Sequence, residues 1–172
     1  MKEFLVLILL VGIMFFVESC QNKKLELTDL EKSSIIDSAK VTVQKVFDAS
    51  NNLKFLDGLN YYSGDSDTYY SSNGTVLTLE ELKDSYRQIS SSIEVMKNTI
   101  ERWNATILSH NTVAFTLPVQ MKIKLIGISE YSGQLIWTGI VQKRNGKWQI
   151  IQSHESWLNC VEVVSALTPS KN

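Results

Sequence analysis

The stretch that most constrains the fold runs from Trp137 to Trp157 and reads WTGIVQKRNGKWQIIQSHESW. Asn145-Gly146 lies between two runs of apolar residues, and an Asn-Gly pair in that setting is the strongest short-range signal of a β-hairpin. We therefore predict a strand from Leu135 to Lys143, a turn at Asn145-Gly146, and a strand from Trp148 to Trp157. Apolar residues occur on both faces of the second strand, so we expect both sides of the sheet to be partly covered.

A further strand precedes this hairpin. Apolar side chains occupy every second position from Val113 to Leu125, and an alternation this long indicates a half-buried strand. The preceding segment, Ile93 to Leu108, is expected to form one long strand, with or without a bulge. Turns are predicted at residues 109–111 and 129–133.

Helices are predicted in the N-terminal half. Thr28 is followed by Glu31 and Thr78 by Glu81, and both pairs have the spacing of a capping box at a helix N-terminus. We predict a helix from Thr28 to Ser50, a second from Thr78 to Ser91, and a short one at residues 53–59. Between them, Asn73-Gly74 predicts a small hairpin. Helices followed by an antiparallel meander predict an α+β fold, with the N-terminal helices packed on a curved, mostly antiparallel sheet.

The first twenty residues predict export. The apolar run from Phe4 to Val17 is shorter than the ~20 residues of a membrane-spanning helix and fits a secretory signal. Val17-Glu18-Ser19-Cys20 resembles the bacterial lipobox, although Glu18 stands where a small uncharged residue is usual. The resemblance implies that Cys20 is acylated and anchors the chain to the lipid bilayer of a bacterial cell envelope. Ordinary cleavage after Ser19 is the alternative.

These signals divide the chain into four parts. They are a lipoprotein signal peptide at residues 1–19, a tether at 20–27, one domain at 28–158, and a C-terminal tail at 159–172. The remaining cysteine, Cys160, is expected to be a small buried hydrophobe rather than a nucleophile.

Composition excludes several functions. The chain has 17 basic and 18 acidic residues, so it lacks the positive surface of a nucleic-acid binder. His110 and His154 are too far apart, with no third histidine, to give metal-ligand spacing. Motifs for nucleotide or cofactor binding are absent from the sequence, and we expect neither a cofactor nor a metal.

The pattern G-K-W-x-I-x-x-x-H-x-S at residues 146–156 resembles the closing strands of the NTF2-like superfamily. It is most similar to SnoaL-like domains and to the association domain of calmodulin-dependent kinase. The resemblance implies a cone in which the curved sheet closes around the helices and leaves a cavity. It also implies a homodimer through the open face of the sheet.

Strand alternation predicts which residues line that cavity. On the last three long strands the cavity side would hold Phe115, Leu117, Val119, Leu135, Trp137, Gly139, Ser153, Glu155 and Trp157. Ligand contacts are predicted for Leu117, Trp137, Ser153, Glu155 and Trp157, with Tyr61, Tyr62 or Tyr69 as hydrogen-bond donors. The arginines of the kinase association domain align with Leu117, Gly139 and Glu155 here. This comparison disfavours an acidic ligand.

Three functional hypotheses remain open from the sequence. The first is a non-enzymatic, membrane-anchored domain that binds a small apolar ligand or a partner protein in the cell envelope. The second is an isomerase, dehydratase or hydrolase in which Glu155 is a catalytic general base of raised pKa. The third is a structural dimerisation module. Neutralisation of Glu155 by Arg87 or Arg102, or its exposure to solvent, would exclude the second hypothesis.

Overall fold

The structure of the chain is a computed structural model that describes residues 27–72 and 74–167. The predicted signal peptide, the predicted lipid acceptor Cys20, most of the predicted tether and residue Asn73 lie outside the described residues, as do residues 168–172.

The described residues form four α-helices and seven β-strands. In chain order these are α1 Asp29–Asn51, α2 Phe55–Gly58, β1 Tyr69–Ser72, β2 Thr75–Leu77, α3 Leu79–Ile89, β3 Ile93–Ile100, β4 Asn104–Ser109, β5 Thr112–Leu125, β6 Tyr131–Arg144, β7 Lys147–Trp157 and α4 Cys160–Leu167. Short 3-10 turns at Leu59–Tyr61 and Ser90–Ser92 extend the chain beyond α2 and α3, respectively.

All seven strands belong to one sheet. The strand order is β2-β1-β7-β6-β5-β3. Strand β4 also pairs with β5, on the same edge as β3 but along a different part of the strand. Every pairing is antiparallel except β1 with β7, which is parallel. The predicted α+β fold with a mostly antiparallel sheet is confirmed.

The two capping boxes explain where the long helices begin. The Thr28 hydroxyl accepts a hydrogen bond from the Glu31 backbone N–H, and the Glu31 carboxylate accepts one from the Thr28 backbone in return. Thr78 and Glu81 repeat this arrangement at the start of α3. Each box satisfies donors that a helix N-terminus otherwise leaves unpaired. Both predicted helix starts are confirmed.

Helix α1 covers the sheet with one apolar stripe. Ala39 and Val43 are completely buried, and Phe47 is 8% exposed. The stripe contacts strands β3, β6 and β7, where the Thr42 hydroxyl donates to the Trp148 carbonyl at 3.3 Å. The hydrophobic core therefore lies between this helix and the middle of the sheet.

The prediction of one long strand from Ile93 to Leu108 is wrong, because the chain forms β3 and β4 with a break at residues 101–103. Both strands lie along the same edge of β5, and the break faces Pro118. The Pro118 carbonyl accepts from the Glu101 N–H at 3.0 Å, but proline has no N–H to donate back. The ladder is interrupted there, and Trp103 turns inward onto Phe115 with 5.8 Å between ring centroids.

The last hairpin has the predicted turn and an additional bulge. Asn145 and Gly146 adopt φ values of 51° and 80°, the left-handed pair that a type I′ turn requires. The register between β6 and β7 then shifts, so that Ile140 pairs with Gln152 but Val141 pairs with Ile150. One extra residue on β7 reverses which side chains face inward beyond that point.

The residues predicted to form a C-terminal tail include a helix. Helix α4 follows β7 directly and contacts β6, and its Val163 is 7% exposed. The folded domain therefore extends past residue 158. In the part of the chain that the structure describes, no helix combines the length and apolarity needed to cross a membrane.

Candidate functional site

A cavity of about 720 Å³ lies between the helices and one end of the sheet. Helices α1, α2, α3 and α4 all contribute to its wall, together with strands β1, β2, β3, β5, β6 and β7. The wall is mainly apolar and rich in aromatic rings, which are Phe47, Phe55, Tyr62, Tyr70, Tyr86, Trp137 and Trp157.

The cavity exists because the helices cover the sheet unequally. Phe115, Leu117 and Val119 of β5 are fully buried in the core and do not reach the cavity. Farther along the same face of β5, Met121 and Ile123 line the cavity wall instead. Alternation decides which face of a strand points inward, but only the position of α1 decides which part of that face is filled.

Glu155 is the acidic side chain in this wall. It lies on β7 opposite Trp137 of β6, and Trp157 follows two residues later on the same face. The part of the Glu155 side chain that borders the cavity is accessible, and protein atoms surround the rest of it. Burial raises the pKa of the Glu155 carboxyl above its usual range, since the apolar surroundings disfavour the charged form.

Two tyrosines from other elements, Tyr62 and Tyr86, line the same cavity as this carboxyl group. Burial raises the pKa of Tyr62 and of Tyr86, and the nearby charge of Glu155 raises both further. The Tyr62 hydroxyl also lies next to Ser153 and Trp137. Both phenols therefore remain protonated at neutral pH, and each can donate a hydrogen bond into the cavity.

Aromatic contacts hold these rings in place. The Tyr86 ring stacks on Phe55 with centroids 5.2 Å apart and 13° between their planes. Trp137 meets Phe47 edge to face at 5.9 Å. A Cβ atom at Gly139 would lie only 2.3 Å from the Trp137 ring, so the indole lies over this glycine. The position of Trp137 thus depends on Gly139 having no side chain.

The structure brings together four of the residues predicted as ligand contacts. Trp137, Ser153, Glu155 and Trp157 all line the cavity. Their role in binding remains a prediction, because it rests on their placement alone.

Three other predicted contacts lie outside the cavity wall. Leu117 is fully buried in the hydrophobic core. Tyr61 is half-buried beside Lys45, and Tyr69 is 47% exposed. Tyr62, the remaining predicted donor, lines the cavity, and so does Tyr70 next to Tyr69. The chain in this region pairs with β7 in a register that the irregular sequence did not reveal.

Tyr70, Tyr86 and Phe55 are cavity residues that the sequence did not single out as ligand contacts. Tyr86 belongs to the apolar stripe of α3, and that periodicity indicated only a packed helix face. The Tyr70 hydroxyl donates to the Ser63 carbonyl and lies 3.1 Å from the Ile150 carbonyl. It therefore joins the loop before β1 to the sheet.

The charged groups proposed to neutralise Glu155 have other positions. Arg87 forms its ion pair with Asp84, and Arg102 is exposed. His154, the next residue along β7, is exposed on the opposite face of the sheet. Among the described residues, Glu155 has no hydrogen bond or ion pair from another side chain, and no cluster of three His, Cys, Asp or Glu residues could hold a metal.

The SnoaL-like domain family matches residues 40–159, which is more than half of the chain. The chain belongs to the SnoaL-like domain family. The predicted NTF2-like resemblance is confirmed by this match and by the solved structures. No curated protein sequence matches this SnoaL-like chain significantly.

Solved structures with the same architecture are distant in sequence. A hexachlorocyclohexane dehydrochlorinase from Novosphingobium barchaimii is 11% identical, with a TM-score of 0.66 over 76% of this chain and 91% of its own. A protein from Novosphingobium aromaticivorans, provisionally named a scytalone dehydratase, is 8% identical, with a TM-score of 0.68 over 76% and 88%. An NTF2-like superfamily protein from Salmonella enterica is 8% identical, with a TM-score of 0.65 over 73% and 92%. Likeness at these identities shows the fold alone.

Proposed function

We propose that this SnoaL-like domain binds a small, mostly apolar ligand in its cavity and is held at a bacterial membrane by lipid on Cys20. The binding proposal is carried by the hollow itself, whose 720 Å³ falls in the range of about 300–1,000 Å³ typical of ligand pockets. Its wall combines seven aromatic rings with a few polar groups, the composition that gives such pockets both affinity and orientation.

Dye binding tests the cavity. The core and the cavity lie within residues 27–167, so a chain beginning at Gln21 retains both. N-phenylnaphthylamine is an uncharged dye whose fluorescence rises in apolar surroundings. We expect saturable binding with one site per chain, because the dye can replace water against the aromatic wall.

A matched pair of variants locates the dye. Met96 lines the cavity, while Lys97 is its neighbour on β3 and is exposed on the other face. Met96→Trp should lower the dye affinity at least tenfold by filling the hollow, and Lys97→Trp should leave it within twofold. Equal affinity in all three proteins, or no saturable binding by the parent chain, would reject the cavity as the ligand site.

The lipid anchor is supported by the apolar run and by the position of Cys20 behind it. Expression in bacteria with labelled palmitate should label the parent chain and a Cys160→Ser variant, but not a Cys20→Ala variant. In detergent phase separation the first two should enter the detergent phase. Labelling that persists without Cys20 would reject the anchor.

A second candidate function is proton transfer. Glu155 has a raised pKa in an apolar cavity, and the protonated phenols of Tyr62 and Tyr86 lie near it. A base beside two hydrogen-bond donors could remove a proton next to a carbonyl group and stabilise the oxyanion that forms. This candidate rests on the three side chains and not on the activities named for the structural neighbours.

Hydrogen exchange tests the second candidate. The α-protons of the apolar ketone tetralone exchange with D₂O when a base removes them, and NMR follows the loss of signal. The catalytic hypothesis predicts a rate that rises with pH through the raised pKa of Glu155, then levels off, and disappears in Glu155→Gln. A rate unchanged by this substitution would reject it, and binding alone would remain.

A homodimer through the outer face of the sheet is a further proposal. The outward residues of β5 and β6 include half-buried Ala114, Ile136 and Ile140 among polar neighbours. Light scattering on the chain from Gln21 should show twice the monomer mass at micromolar concentration. A monomer at every concentration would reject the dimer.

A further inference from the structure

In the described part of the chain, Glu155 borders a mainly apolar cavity and has no counter-ion there. Among the described residues lining the cavity, the titratable ones are Tyr62, Tyr70, Tyr86 and Glu155, and none is Lys, Arg or His. Ionisation of Glu155 therefore leaves a partly buried charge with no partner, which is unfavourable in apolar surroundings. A ligand that brings a positive charge would remove this cost.

The same carboxylate has aromatic rings around it. Trp137 is its cross-strand neighbour and Trp157 lies two residues along the same face, while Tyr62 and Tyr86 approach closely enough for its charge to affect both phenols. The face of an aromatic ring attracts a cation, and more strongly where water is excluded. One carboxylate among four rings is thus a favourable environment for an ammonium group and an unfavourable one for an anion.

We propose that the ligand class is a protonated amine on an apolar body, with the ammonium paired to Glu155 between the rings of Trp137, Trp157, Tyr62 and Tyr86. This inference rests on the proposed ligand-binding function and adds the charge of the ligand to it. The apolar body would lie toward Met121, Ile123 and the helices, where the wall holds no charged side chain among the residues described.

The charge of the ligand sets the pH dependence of binding. Amine binding requires the ionised form of Glu155, whose pKa burial raises. Affinity for an amine should therefore increase as the pH rises through that pKa, and decrease again when the amine itself loses its proton. A neutral ligand of the same shape should show neither change, since Tyr62 and Tyr86 remain protonated across this range.

Three probes of one shape test the inference, namely naphthylmethylamine, naphthalenemethanol and naphthoate. Calorimetric titration of the chain from Gln21 at pH 7.5 should show the amine binding at least tenfold more tightly than the alcohol, and the carboxylate more weakly than both. Glu155→Gln should reduce amine affinity at least tenfold and leave alcohol affinity within twofold. Glu155→Asp keeps the negative charge and should retain part of the preference for the amine.

The outcomes separate this inference from the proposed function. The amine class would be overturned if the parent chain bound amine and alcohol equally, or if Glu155→Gln kept the preference for the amine. In either case the proposed binding of an apolar ligand would still hold. If neither the three probes nor N-phenylnaphthylamine bind, the proposed function fails and the inference fails with it. Circular dichroism of each variant confirms that the comparison is between folded proteins.

Discussion

The inner face of the sheet has two ends that share strands but not packing. At one end Val113, Phe115, Leu117 and Val141 are buried beneath α1, with at most 1% of their surface exposed. At the other end the same face borders a hollow of about 720 Å³, where Glu155 lies among aromatic rings. Both ends obey the same alternation of apolar residues along the strands.

The difference shows that inward orientation and tight packing are separate properties. A side chain at the packed end has protein atoms on every side. A side chain at the end that borders the hollow has protein atoms on one side and open space on the other. Dispersion contacts are lost wherever there is such a gap. The packed end therefore carries most of the stability, and the hollow end is free to carry a polar group that a filled core would exclude.

The largest expected effect compares one leucine from each end. Leu117 is fully buried in the packed end, and Leu135 is 5% exposed in the cavity wall. Leu117→Ala should lower the free energy of unfolding by about 3–5 kcal/mol, as large-to-small changes in tight cores do. Leu135→Ala should cost clearly less, because its side chain has fewer neighbours to lose. Urea unfolding measures both values, and equal losses would contradict the proposed difference in packing.

The second prediction concerns the ionised group at the hollow end. The pKa of Glu155 is higher in the folded chain than in the unfolded chain. Ionisation of Glu155 therefore lowers the free energy of unfolding. This loss is absent at pH 4, grows as the pH rises through the folded-state pKa, and is complete above it. Glu155→Gln should therefore stabilise the chain by roughly 1–3 kcal/mol at pH 8 and change little at pH 4. Thermal unfolding of both proteins across this range measures the difference. If the two proteins differed in stability by the same amount at both pH values, the charge of Glu155 would not be the cause of the difference.

The smallest expected effect separates two neighbouring tyrosines at the border of the hollow. Tyr70 is 1% exposed and its hydroxyl donates to the Ser63 carbonyl, whereas Tyr69 is 47% exposed. Tyr70→Phe should cost about 1 kcal/mol by removing one buried hydrogen bond. Tyr69→Phe is the matched control and should be neutral. If both changes have the same effect on unfolding, the hydroxyl of Tyr70 does not stabilise the fold.

Local signals predicted much of the fold because they depend on neighbouring residues only. Thr28 with Glu31 and Asn145 with Gly146 act within four residues of chain, so their outcome hardly depends on the rest of the molecule. The break between β3 and β4 was missed because it depends on Pro118, which lies on a different strand. The residue pattern of one segment does not predict which residue of a distant strand will pair with it.

The candidate site was predicted in part for the same reason. Alternation along the last strand predicted that Ser153, Glu155 and Trp157 face the cavity, and the structure shows how they come to do so. Strict alternation from buried Ile150 would have turned His154 inward, but the register shift after Ile140 turns Ser153 and Glu155 inward instead. Of the three predicted tyrosine donors only Tyr62 lines the cavity. The sequence could not choose among them, since the irregular segment before β1 offered no alternation to follow.

The sequence by itself determined the starts of the two long helices, the last turn and the inward faces of β5 and β6. Each of these follows from local backbone preference and side-chain period. Only the tertiary structure decided that Glu155, Tyr62 and Tyr86 line one cavity, and that they border a hollow rather than a filled core. These three residues come from β7, from the turn after α2 and from α3, and only the packing of the helices on the sheet sets the space between them.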